Sequence, residues 1–131
     1  MKLDIRNRKD IEVLVEKFYC SLLDDELLGV FFTKVVDLDL KEHLPIITNF
    51  WSNILFHDMS YKRNVMLKHI DIHKIKRLEK KHFHRWIELW KQSIDLSHEG
   101  KLAEEAKKRA DLMMQLMMIK VQQSETKGFI Q

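Results

Sequence analysis

Apolar residues recur at steps of three and four along most of the chain, which is the pattern of amphipathic α-helices. The first stripe lies between Asp10 and Leu23, and Asp10 is expected to cap that helix. A second helix follows Asp37 and Asp39. It carries Pro45, which is tolerated only near a first turn because proline has no amide hydrogen. The apolar positions of the first stripe are Ile11, Leu14, Val15, Phe18 and Leu22, and the second helix presents His43, Ile47, Phe50, Trp51 and Ile54 along one side.

The pattern breaks after Phe56 and returns in a short helix that Asn64 can cap. Two long helices follow, with Gly100 between them. From Gln122 onward the sequence predicts a frayed tail. The stripe of the first long helix is Phe83, Trp86, Ile87, Trp90 and Ile94, and that of the second is Leu102, Ala106, Ala110, Met113, Met117 and Val121.

The composition favours an all-α fold. Hydrophobic residues make up 45% of the 131 residues, whereas glycine occurs three times and proline once, which argues against a turn-rich β-sandwich. This length suits one domain, expected over 1–131 with its core between about residues 10 and 121.

The first ten residues, MKLDIRNRKD, contain no continuous apolar run, so we expect neither a secretory signal nor a membrane anchor. Cys20 is the one cysteine, which rules out an internal disulfide and suits a reducing cytoplasm. We therefore expect a cytoplasmic protein without a membrane partner.

Positive charge is concentrated in one segment. Between Lys62 and Arg85, nine Lys and Arg residues stand against Asp71 and Glu79, a net of +7, although the chain as a whole carries +3. A local basic surface is expected.

Seven histidines raise the question of a metal. His69 and His73 are four residues apart and can share a helix face, but zinc sites need more ligands than this pair and the chain has no HExxH motif. A haem site requires one imidazole, a wide apolar slot, polar donors on the opposite side and cations for the propionates. The residues around His69 can supply all four.

Four segments resemble segments of the truncated haemoglobins and occur in the same order. The chain has no Gly-Gly pair, and in this it is most similar to group III of that family. The segments are FYCSLLDDELLGVFF (18–32), HLPIITNFW (43–51), NVMLKH (64–69) and FHRWIELW (83–90). The resemblance spans about residues 10 to 121 and departs from the family at KRN after Tyr61, where a glycine is expected. It implies a truncated globin, a two-over-two helical sandwich around haem b (iron protoporphyrin IX).

The resemblance also implies roles for individual residues. His69 is the proximal iron ligand, with His73 as its competitor one turn away, and Phe32 packs on the porphyrin. Tyr19 and Trp86 match residues of the distal pocket, each with a plain core role as the alternative. His43, which is expected to line the pocket together with Ile47, can instead turn toward solvent as a gate. Further haem contacts are expected from Phe50, Met66, Phe83 and Trp90, which as core residues can serve packing alone, and from Arg63, Lys68 and His73 at the propionates.

We therefore expect a haem protein that binds dioxygen, nitric oxide, carbon monoxide or other diatomic ligands at a pentacoordinate ferrous iron, for ligand chemistry or sensing rather than bulk transport. An enzyme is the alternative, a nitric-oxide dioxygenase or a peroxidase-like protein that needs an external reductase. The third possibility is a haem-free helical interaction module. No known nucleic-acid-binding motif occurs, so no nucleic-acid partner is expected.

Overall fold

A computed structural model describes residues 2–32, 40–58 and 78–127, with side chains placed as far as residue 123. Four helices account for most of these residues: α1 at Arg8–Asp24, α2 at Leu40–Phe56, α3 at Lys80–Ser97 and α4 at Lys101–Lys127. Within the described ranges the chain forms no strand, only an isolated bridge between Leu3 and His98. The predicted all-α class is confirmed.

Helix α1 starts three residues earlier than the sequence suggested. The side chain of Asn7 accepts a hydrogen bond from the amide of Asp10 at 3.0 Å and is the N-cap, so the prediction that Asp10 is the cap is wrong. Asp10 lies in the first turn, where its charge favours the helix dipole. All five residues predicted for the α1 stripe are buried.

Helix α2 contains Pro45 in its interior rather than in its first turn. Proline cannot donate the helical hydrogen bond of that position, which costs stability that the neighbouring contacts must offset. Thr48, buried one turn further on, donates its hydroxyl to the carbonyl oxygen of Leu44 at 2.7 Å. Bonds of this kind often accompany a bend.

The helices pack as two pairs, α1 with α2 and α3 with α4, and the pairs meet where α1 contacts α3 and α2 contacts α4. At the centre the rings of Trp51 and Trp90 stack with their centroids 4.7 Å apart, and Phe18 meets Trp90 edge-on at 5.0 Å. The indole N–H of Trp90 donates to the carbonyl oxygen of Ala106 at 3.3 Å, which satisfies the one polar atom of that buried side chain.

Helix α4 packs through small residues. Ala103, Ala106 and Ala110 are buried on the side that faces the bundle, so the α4 backbone can lie close to its neighbours. The helix continues to Lys127, past Gln122, where the sequence suggested that a tail begins.

The N-terminal segment closes the α3–α4 end of the bundle. Asp4 accepts hydrogen bonds from the amides of Leu102 at 2.9 Å and Ala103 at 2.8 Å, so it caps a helix that lies far away in sequence. Gly100, at φ +139°, allows this approach, because a Cβ there would lie 2.6 Å from the Asp4 carboxyl carbon. In the described parts of the chain, every helix is too short or too polar to cross a membrane.

We predict that Asp4→Ala lowers the free energy of unfolding at neutral pH by about 1–2 kcal/mol, because two α4 amides lose their acceptor. Although burial raises the pKa of Asp4, hydrogen bonds from the amides of Leu102, Ala103 and Ile5 outweigh it and hold that pKa below its usual value. A carboxyl whose pKa is lower in the folded state stabilises the protein above its unfolded pKa and loses that effect as pH falls through the folded one.

The gap between wild type and variant is therefore expected to close below about pH 4. Urea unfolding at several pH values measures it. Asp24→Ala, which removes the same charge from an exposed position at the end of α1, is the control and should change stability by less than about 0.5 kcal/mol. An equal loss in both variants would contradict the capping role.

Candidate functional site

The centre of the candidate site is a hydrogen bond between α1 and α2. The hydroxyl oxygen of Tyr19 lies 2.8 Å from Nε2 of His43. Tyr19 is 4% exposed, and its ring meets the His43 ring edge-on at 5.0 Å and the Phe32 ring edge-on at 6.1 Å. The structure thus brings together Tyr19 and His43, which the resemblance assigned to the distal pocket, and Phe32, which it assigned to the porphyrin.

Tyr19 reaches the pocket because it lies about 100° around the helix from Phe18. Phe18 fills the core against Trp90, while Tyr19 points to α2, and the two adjacent rings meet edge-on at 5.5 Å. The same local sequence therefore supplies one core residue and one polar residue of the site.

Burial raises the pKa of the Tyr19 hydroxyl well above its ordinary value. The group consequently stays neutral and keeps its proton at physiological pH. The tautomer of His43 decides how that proton is used. With Nε2 unprotonated, Tyr19 donates to His43; with Nε2 protonated, His43 donates and the tyrosine proton can reach another acceptor.

Trp86 and Ile47 lie on the helices next to this pair. Trp86, on α3, packs near Phe18 with ring centroids 6.4 Å apart, and Ile47 follows His43 by one turn of α2. Both side chains are partly buried, as are Phe32 and Phe50. Of these side chains, Phe32 contacts Tyr19 directly, whereas Trp86 contacts the neighbouring Phe18.

Phe83 and Trp90 are each 2% exposed and belong to the buried core. Phe50 packs edge-on against Trp51 at 5.5 Å. That these three also touch a porphyrin stays a prediction.

Five predicted site residues lie outside the described residues, and so does the His69–His73 alternative for zinc. They are Arg63, Met66, Lys68, His69 and His73. Among the residues that are described, no three His, Cys, Asp or Glu side chains come together as a metal site.

A turn after α1 positions Phe32. The carboxylate of Asp25 accepts hydrogen bonds from the amides of Leu27 and Leu28, at 3.2 and 3.1 Å, and from Nε of Arg85 at 2.8 Å. Burial opposes ionisation, but these bonds and the positive charge hold the pKa of Asp25 below its usual value. The charged carboxylate thus holds the turn that precedes Phe32 against α3.

Sequence reasoning gave His82 no role of its own, yet it organises the start of α3. The amide of Glu79 donates to Nδ1 of His82 at 2.8 Å, and the Glu79 side chain accepts from the amide of His82, which together make a capping box. The His82 ring also meets Phe31 edge-on at 5.0 Å. The spacing of Glu79 and His82, three residues apart ahead of an apolar stripe, was the available signal.

The chain is 27% identical over 116 residues to the group 3 truncated haemoglobin ctb of Campylobacter jejuni, an alignment that covers 86% of this chain and 89% of the relative. The crystal structure of a group III truncated haemoglobin from Campylobacter jejuni superposes with a TM-score of 0.79 at 25% identity, over 89% of this chain and 92% of that one. No family model matches the chain.

The resemblance to the group III truncated haemoglobins is confirmed. The fold is accordingly the all-α truncated globin fold that the sequence predicted. The α1–α2 pair and the α3–α4 pair correspond to the two layers of the helical sandwich in that fold.

The described part of the site fits a haem. A haem needs an apolar slot with a polar donor on one side. Tyr19 supplies a buried neutral hydroxyl, and Phe32, Ile47, Phe50 and Trp86 supply apolar side chains that the protein covers only in part.

We predict that the Tyr19 hydroxyl resists ionisation in the folded protein. Carbon-13 NMR of the tyrosine Cζ carbons during a titration measures this, and Tyr19→Phe assigns the signal, since the chain has two tyrosines. Because the folded pKa lies above the unfolded value near 10, the stability that neutral Tyr19 contributes is present below about pH 10 and is lost at higher pH. A Tyr19 signal that titrates at about pH 10 with the fold intact would contradict its burial.

Proposed function

We propose that this protein binds haem b and, at its pentacoordinate ferrous iron, dioxygen or another diatomic ligand. The observation that carries the proposal is the partly buried hydrogen bond between Tyr19 and His43, set among aromatic side chains in a truncated globin fold. When Nε2 of His43 is protonated, it donates to the Tyr19 oxygen and leaves the Tyr19 proton for a further acceptor. A ligand that accepts a hydrogen bond is an acceptor that suits the fold.

In this proposal His69 holds the iron from the proximal side. Phe32 packs against the porphyrin, and Lys68, Arg63 and His73 face the propionates. The remaining haem contacts come from Phe50, Met66, Phe83 and Trp90.

When bound, haem supplies a ferrous iron that coordinates a diatomic ligand and shares electron density with it. The distal residues supply hydrogen bonds. Tyr19 keeps its proton because burial disfavours the phenolate, and the indole N–H of Trp86 can only donate. His43 either accepts a hydrogen bond from the Tyr19 hydroxyl or donates one to it. The tautomer of His43 therefore decides whether Tyr19 can donate its own hydrogen bond to the ligand.

Three polar side chains near one ligand favour its retention, which suits ligand chemistry or sensing better than bulk transport. Each additional donor to a partly charged acceptor contributes about 1.5–3 kcal/mol, and 1.4 kcal/mol corresponds to about a tenfold change in release. A nitric-oxide dioxygenase or peroxidase-like activity, with an external reductase, would use the same donors. It is the alternative to a protein that only binds or senses the ligand.

The test of haem binding is the visible spectrum of the purified protein, compared with His69→Ala and with His73→Ala as the matched control. We predict that the wild type and His73→Ala take up haemin with the same spectrum, whereas His69→Ala loses the signature of an axial imidazole. A wild-type protein that stays colourless with haemin would contradict the proposal and favour a haem-free interaction module. If His73→Ala alone lost the signature of an axial imidazole, the iron ligand would be His73 instead of His69.

We further predict that Tyr19→Phe speeds dioxygen dissociation by about tenfold or more, because one hydrogen bond to the ligand is lost. Stopped-flow displacement of dioxygen by carbon monoxide measures the rate. Trp86→Phe and the double variant show whether Trp86 compensates. A change within about twofold in both Tyr19→Phe and the double variant would remove Tyr19 from this role.

A further inference from the structure

One ion pair joins the turn after α1 to the first half of α3. Nε of Arg85 lies 2.8 Å from Oδ1 of Asp25, and the Asp25 side chain is only 6% exposed. A nearly buried carboxylate is costly unless it is paired, and Asp25 also accepts hydrogen bonds from the amides of Leu27 and Leu28. The pair therefore fixes the turn and this part of α3 relative to each other.

The turn that contains Asp25 is tightly folded. The amide of Gly29 donates to the carbonyl oxygen of Asp25 at 2.8 Å. A Cβ at Gly29 would lie 2.8 Å from the carbonyl oxygen of Leu23, so the backbone of the turn lies directly against the end of α1. Phe32 follows Gly29 by three residues, and its position depends on where this turn is held.

The residue after Arg85 belongs to the candidate site. Trp86 packs beside Phe18 with ring centroids 6.4 Å apart. His82, one turn earlier on α3, meets Phe31 of the turn edge-on at 5.0 Å. At 100° per residue, His82, Arg85 and Trp86 lie within an arc of about 100°. This face of α3 thus contacts the turn at two points and carries Trp86 beside them.

We propose that Arg85 is a positioning residue of the candidate site, which by binding Asp25 sets the position of Trp86 relative to Phe32. Phe32 in turn packs against Tyr19, with ring centroids 6.1 Å apart. The inference rests on the proposed function, in which Phe32 packs on the porphyrin and Trp86 donates to the bound ligand. One ion pair at the side of the pocket then decides how a donor on α3 is placed relative to the haem.

A guanidinium suits this role better than an ammonium. Nε of Arg85 donates to Asp25, while Nη1 bonds the carboxylate of Glu88, three residues further along α3. The planar fork of arginine binds both carboxylates at once and so fixes the direction of the side chain. Lysine is a point charge on a flexible stem and cannot do this. Glu88 therefore restrains Arg85 on its own helix, and the ion pair relates the turn to the α3 backbone.

The test is the indole N–H signal of Trp86 in proton–nitrogen NMR of the full-length protein as purified. Trp86→Phe assigns that signal among the three tryptophans of the chain. We expect Arg85→Gln to shift it by more than the line width and to leave the Trp90 signal in place, because the N–H of Trp90 donates to Ala106 in the core. Arg85→Lys, which keeps the charge but not the fork, should give a smaller shift.

Lys91→Gln is the matched control. The Lys91 side chain is 38% exposed, against 36% for Arg85, and pairs with Asp111 at 2.9 Å. Its replacement thus also removes one cation and one ion pair from α3, and it should leave the Trp86 signal unchanged. An unchanged signal in Arg85→Gln, or equal shifts in both variants, would overturn the proposal. So would a shift of Trp90 as large as that of Trp86, because it would show a general loosening of the core.

Asp25→Asn provides a second variant if circular dichroism shows that Arg85→Gln has lost helix content. Asparagine keeps an acceptor for the amides of the turn but removes the charge that holds Arg85. The variant should shift the Trp86 signal in the same direction. The double variant should shift it no further than the larger single change, because both changes remove one interaction. Additive shifts would show that the two residues act independently and would contradict the proposal.

The carbon monoxide complex of the haem-loaded protein tests the consequence for the ligand. We expect Arg85→Gln to change the C–O stretching frequency in the same direction as Trp86→Phe, whereas Lys91→Gln leaves it at the wild-type value. A frequency that changes in Trp86→Phe but not in Arg85→Gln would overturn the positioning role. A wild type that takes up no haemin would contradict the proposed function, and the Trp86 signal would still decide whether Arg85 positions Trp86.

Discussion

The hydrogen bond between Tyr19 and His43 is the interaction on which the candidate site depends. A buried hydroxyl and a partly buried imidazole are tolerated in an apolar region because they pair at 2.8 Å. That distance requires α1 and α2 to pack closely and in one register. Phe18 holds α1 to the core beside Tyr19, and the stacked Trp51 and Trp90 hold α2 to α3.

Charged side chains fix the ends of this arrangement. Asp25 joins the end of α1 to Arg85 on α3 and orders the corner that carries Phe32. Asp4 caps α4 at the other side of the bundle. The core therefore supplies the packing energy, whereas a few carboxylates with lowered pKa values define how helix ends meet.

Periodic patterns in the sequence predicted all four described helices and the burial of the α1 stripe, because packing repeats with the helical turn. The family resemblance placed Tyr19 and His43 in the distal pocket and Phe32 against the porphyrin, and these three side chains lie together. Helix ends were harder. Asn7 rather than Asp10 caps α1, and Asp4 reaches α4 from far away in sequence, a contact that no local pattern encodes. The capping role of His82 was not predicted, because its partner, Glu79, is an uncommon capping residue.

We propose that Tyr19, supported by His43, faces a ligand bound to haem. The infrared C–O stretching frequency of the carbon monoxide complex reports the polarity beside such a ligand directly. We expect a lower frequency in the wild type than in Tyr19→Phe, because a hydrogen-bond donor draws electron density toward the ligand oxygen. Identical frequencies in the two proteins, with haem bound in both, would contradict it.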